Sequence, residues 1–147
     1  MLRSWILVAC VVALPLSAAA GAAPPTIDDI NGTVFSVRSK GPEHDLAGGK
    51  TTADATITWT ITKTGADTVS FDAVFGGMAF TAYYKDGFLL QATASPEDPP
   101  QNGSSLFVAV TGKPGKMKLK GALTVYSAGP GFNVLRTLKV SGKQTGP

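Results

Sequence analysis

Few residues in this chain could do chemistry, and their spacing narrows the choice. The 147 residues hold one histidine, His44, and one cysteine, Cys10. His44 sits in Glu43-His44-Asp45, where it could serve as a ligand or a general base. A transition-metal site there would have to draw its other ligands from carboxylates alone. A hydrolase triad would have to use the same His44, and no Gly-x-Ser-x-Gly elbow presents a nucleophile. Gly49-Lys50-Thr51 matches the end of a phosphate-binding loop, but His44 stands where the first glycine of that loop belongs. Asp28-Asp29 and Glu97-Asp98 are adjacent carboxylates in polar or Pro-rich surroundings. Such pairs stay solvated rather than poised for acid–base work, and they lack calcium-loop spacing. These residues predict no catalytic centre, no metal site and no cofactor.

Two other patterns point to binding. Lys116, Lys118 and Lys120 alternate along one run, and Lys139 has the same outward parity on the next. All ten acids lie at or before Asp98, whereas the chain from Pro99 onward carries seven bases and no acid. A one-sided basic row suits an anionic surface or polysaccharide. It suits nucleic acid less well, because Tyr126 is the only aromatic expected on this outer row and Lys rather than Arg dominates it. Lysines on outer strands also discourage edge-to-edge aggregation. The second pattern is an inward aromatic set: Trp59, Phe71, Phe80, Tyr84 and Phe88, with Ile57. These residues either surround a small apolar ligand or fill a core.

The elements that must position them begin after a leader. Arg3 precedes an apolar run from Trp5 to Leu16, then small residues from Ser17 to Ala23. This is the order of a secretory signal peptide, with cleavage expected between Ala20 and Ala23. Residues 1–23 are therefore read as a cleaved leader and 24–147 as one domain, periplasmic or extracellular. Leu7-Val8-Ala9-Cys10 imitates a lipidation site, but the apolar run continues past Cys10. No later stretch is long and apolar enough for a helical transmembrane anchor.

The remainder reads as strands. Ile57, Trp59 and Ile61 alternate with Thr56, Thr58, Thr60 and Thr62, and a period of two puts each set on its own face. The threonine row has no full counterpart on the next run, so an ice-binding array is not expected. Thr68–Phe75 and a returning strand from Met78 flank Gly76-Gly77, with Phe75 expected opposite Met78. Lys85-Asp86-Gly87 allows two registers. A two-residue Asp-Gly turn puts Leu89, Gln91 and Thr93 with Tyr84. A three-residue loop puts Phe88, Leu90 and Ala92 there, and the continuous apolar face favours this second register. Further runs, Ser104–Thr111, Lys116–Tyr126 and Phe132–Ser141, complete the set. Gly121 falls on an inner face, where it permits a bend or close approach. The first strand, Ile30–Arg38, is followed by the longest loop, Ser39–Ala53. Eight short-linked strands predict an all-β antiparallel meander closing into a small barrel, with a two-sheet sandwich as the alternative.

This order, one long loop and then successive hairpins, resembles the lipocalin-type (calycin) barrels. Gly32-Thr33-Val34 occupies the place of their first-strand Gly-x-Trp, with Val34 where the Trp belongs. Arg136, among the apolar residues of the last strand, matches their last-strand Arg. The resemblance implies a small apolar ligand inside the barrel beneath a lid made by the first loop. It also implies a cation–π contact between Arg136 and a ring, here Trp59. A bulge that turned Arg136 outward would remove that contact. The resulting expectation is an exported, non-enzymatic binding protein. Its alternative is a structural or adhesion module with a filled core and a basic outer face.

Overall fold

Alternation along the chain builds eight strands whose pairing order is their sequence order. The computed structural model describes residues 22–74, 78–96 and 101–147. A short helix, α1 (Ile27–Ile30), precedes β1 (Val34–Asp45), β2 (Gly49–Lys63), β3 (Thr68–Val74) and β4 (Met78–Lys85). Then come β5 (Phe88–Ala94), β6 (Asn102–Thr111), β7 (Lys118–Gly129) and β8 (Phe132–Gly146). Each strand pairs antiparallel with the next, and β1 closes on β8 from Val34 opposite Gly146 to Asp45 opposite Val134. The protein is an all-β antiparallel meander closed into a barrel. A sandwich would leave open sheet edges, and closure removes them.

One end of the barrel is packed. Phe35, Val37, Trp59, Ile61, Val69, Phe71, Leu89, Val108 and Leu119 turn inward and are buried. Each such side chain contributes roughly 1.5–3 kcal/mol by leaving water. The residues before β1 plug this end. Thr26 and Asp29 form a capping box on α1: the Asp29 carboxylate accepts from the Thr26 amide at 2.7 Å, and the Thr26 hydroxyl accepts from the Asp29 amide at 3.2 Å. The Thr26 amide, together with the Thr26 hydroxyl that donates to the same carboxylate, holds the Asp29 carboxyl below its ordinary pKa. Ile30 enters the core fully buried, Asp28 pairs with Lys63 at 2.6 Å, and the Tyr84 hydroxyl donates to the Pro25 carbonyl. Burial of Tyr84, helped by the nearby negative Asp29, pushes its pKa up to about 12. Gly121 meets its expectation: a Cβ there would lie 2.0 Å from the Phe107 carbonyl oxygen, so β6 and β7 approach too closely for any side chain.

The structure corrects the sequence reading in three places. Ser39–Ala53 is no loop. β1 runs to Asp45 and β2 starts at Gly49, so the segment is a hairpin turning at Leu46–Gly48, and no lid exists there. Its alternation was masked because both faces are largely wet, and its outward side carries polar pairs such as Arg38–Asp54 at 2.7 Å. The β4–β5 connection takes the two-residue register: Tyr84 faces Leu89, and Asp86 and Gly87 both have positive φ, 51° and 85°. That is the backbone of a type I′ turn, which Asp-Gly favours. Phe88 therefore points outward and is exposed, stacking against Phe107 at 5.1 Å between ring centroids rather than entering the barrel. Finally, the segment before the first strand includes a helix, whose capping box is legible at Thr26 and Asp29. The β3–β4 ladder is described as far as Val74 opposite Met78, and the expected pairing of Phe75 with Met78 lies outside the described residues. The leader through Gly21, Phe75-Gly76-Gly77 and Glu97-Asp98 lie outside the described residues.

Candidate functional site

The other end of the barrel opens into a mouth. Thr93, Ser104, Val125, Arg136 and Glu43 are successive ladder partners across β5, β6, β7, β8 and β1. All five share the parity of the buried core positions on their strands, so they form one row of the inner wall. The next row inward on β6, β7 and β8 is Leu106, Leu123 and Leu138, all buried. On β6 and β8 the wall thus changes from leucine to polar within one step of two residues, whereas β7 stays apolar with Val125.

Above that apolar floor lies a concave space of about 530 Å³, lined among others by Phe80, Gln91, Thr93, Ser104, Val125 and Ser127. Gln91, Thr93 and Ser104 bond to one another. The Gln91 amide donates to the Thr93 and Ser104 hydroxyls at 2.9 Å each, and the two hydroxyls lie 3.1 Å apart. Ser127 donates to the Asn102 side-chain oxygen at 3.0 Å. These neutral donors and acceptors can exchange partners with a bound polar group at little desolvation cost. Beside them the Arg136 guanidinium donates to the half-buried Glu43 carboxylate, which also accepts from Thr51 at 3.3 Å.

The inward aromatics reach this space from below. Trp59 is fully buried and stacks on Phe71 at 4.9 Å between centroids. Phe71 stacks on Phe80 at 6.2 Å, and Phe80 lines the mouth. Trp59, Phe71 and Tyr84 are inward as expected but belong to the packed end, with Tyr84 held by Pro25. Phe80 alone of the expected aromatic set lines this space. Arg136 is inward as expected, and the partner it shows is Glu43. His44 is a half-buried outward residue of β1, paired in the ladder with Lys50 and Leu135.

Sequence reasoning missed Gln91, Thr93 and Ser104 as a group. Choosing the longer β4–β5 turn placed Gln91 and Thr93 outside. The Asp86-Gly87 dipeptide was the signal that could have reversed the choice. The lysines stand outside the barrel and exposed, as expected: Lys118 and Lys120 on β7, Lys139 on β8, and Lys116 in the turn before β7. No protein-family model matches the chain, and neither a curated protein nor a solved structure matches it.

Proposed function

We propose that the chain is an exported, non-enzymatic binding protein that seats a small ligand in the mouth of the barrel, not at its centre. The observation that carries this reading is the mouth itself. A space of about 530 Å³ combines an apolar floor with a convergent polar group, Gln91, Thr93 and Ser104. Ligand sites commonly have this composition. The ligand class that fits is a molecule with an apolar body against Phe80 and Val125 and a hydrogen-bonding end toward Gln91. The lipocalin-like reading is supported by the closed eight-stranded meander and the inward Arg136. The packed Trp59 end moves the seat upward from where that resemblance implied it.

The test is titration of the domain, residues 24–147, which holds every described strand and core residue, with 1-anilinonaphthalene-8-sulfonate and with a fatty acid, alongside native mass spectrometry. Saturable micromolar binding is expected, with Trp59 emission quenched by through-space energy transfer to the nearby dye. Ser104→Trp fills the mouth and should abolish binding while leaving the unfolding midpoint within a few degrees. Binding untouched by this substitution would place the ligand elsewhere, and no binding of any probe would sink the reading for amphiphiles.

A further inference from the structure

The outer wall opposite β4 and β5 carries a denser charge cluster than the β7 lysine row alone. Lys118 on β7 lies directly across the ladder from Lys143 on β8, and Lys139 on β8 lies directly across from Lys40 on β1. Between these pairs, Ser141 is flanked by Lys120 and Arg38. Six cations thus occupy three adjacent strands and three successive outward positions. With strands about 4.8 Å apart and a rise of about 3.4 Å per residue, the block measures roughly 10 by 14 Å. Among the described residues, no acid lies on the outer faces of β6, β7, β8 or β1. The nearest is Asp54 on β2, which pairs with Arg38 at 2.7 Å and Lys40 at 3.6 Å. Lys118, Lys120, Lys139 and Lys143 have no acid on either neighbouring strand within the block.

Like charges directly opposite across a ladder destabilise the sheet. Two such pairs side by side, on a wall where Gln or Thr would serve, are a local cost without a structural return. We infer that this wall is a docking surface for a linear anionic polysaccharide, whose carboxylate or sulfate groups replace the missing acids. Three features favour that occupant. Serine and threonine hydroxyls (Ser36, Ser141, Thr56 and Thr58) lie between and beside the cations, available to sugar hydroxyls. The exposed large apolar residues Leu46, Tyr83, Phe88, Phe107 and Phe132 all lie off this block, so no side chain here enters a bilayer or stacks on a base. The cations also span three of the eight barrel strands, more than a third of the circumference. A flexible chain follows that curve, whereas a flat membrane meets only its crest. The inference is independent of the mouth.

The domain, residues 24–147, would be titrated calorimetrically with heparin and with alginate, at about 20 and about 200 mM salt. Screening predicts at least about a ten-fold loss of affinity across that range. Lys118→Glu with Lys143→Glu should weaken binding at least about ten-fold, and Lys85→Glu on the far wall should leave it within about two-fold. A second readout separates docking from mere scaffold charge. Lys143→Gln should raise the melting midpoint of the free protein by about 1–2 °C while weakening the glycan complex, because it relieves one like-charge pair. Tighter binding to phosphatidylglycerol vesicles or to a single-stranded oligonucleotide than to either glycan would overturn the assignment. So would equal effects of the Lys85 and Lys118/Lys143 reversals.

Discussion

Trp59 and Gln91 point into the same barrel and meet different chemistry. Trp59 sits in the packed end, stacked on Phe71 and closed off below by Ile30 and Met117, all buried. Gln91 sits at the mouth among hydroxyls, only partly buried. Strand lengths account for part of the contrast. β1, β2, β7 and β8 run 12–15 residues, whereas β3, β4 and β5 run 7–8. The inward positions at the mouth end of the long strands, Asp45 and Thr51, are exposed, while Gln91 lies toward the open end of the short β5. Parity decides whether a residue points in, and height along the barrel decides whether inward is dry.

If that division is real, substitutions should grade by height. The largest effect is expected from Trp59→Ala. Removing the buried inner end of the aromatic stack should cost about 3–5 kcal/mol, read as a lower urea midpoint. Gly121→Ala comes next, at about 1–3 kcal/mol, because its Cβ would press on the Phe107 carbonyl. An unchanged midpoint there would mean that β6 and β7 separate easily.

Tyr84→Phe is expected to cost about 1 kcal/mol through the lost bond to Pro25. It carries a pH signature as well. The folded phenol titrates above its ordinary value of 10, at about 12. Its contribution is therefore fully present below pH 10 and is lost as pH rises through the folded value. Melting curves from pH 9 to 12 should fall less steeply for the Phe variant than for the parent. The smallest effect belongs to the mouth: Ser104→Ala should shift stability by no more than about 0.5 kcal/mol, because Gln91 and Thr93 can turn to water. A loss comparable to that of Gly121→Ala would show that the mouth is structural and erase the contrast.

Much of the packed end was legible in the sequence. Ile57-x-Trp59-x-Ile61, Leu106-x-Val108-x-Val110 and Met117-x-Leu119 follow strict alternation because their faces divide cleanly between core and solvent. The mouth was not legible. Inward Gln91, Thr93 and Ser104 resemble solvent-facing residues, and the outward face of β5 presents Phe88 and Leu90. Hydrophobicity thus assigned the two faces in reverse, and only the turn chemistry of Asp86-Gly87 held the correct register. The basic block was half legible. Lys118, Lys120 and Lys139 are close in sequence, but Arg38 and Lys40 join them only because β1 closes on β8.

That closure also sets a timetable. Every other ladder joins neighbours in sequence, so each hairpin can form from a short loop. The β1–β8 seam joins Val34 to Gly146 and must bridge most of the domain. Such distant pairings are slow to find, because chain entropy is lost before the contacts return it. As the chain is synthesised, β1 waits with one flank unpaired until the fifteen-residue β8 arrives. Any event that stalls the last strand leaves two sticky edges rather than a slightly smaller barrel. For this molecule the eighth strand is the one that turns a row of hairpins into a vessel.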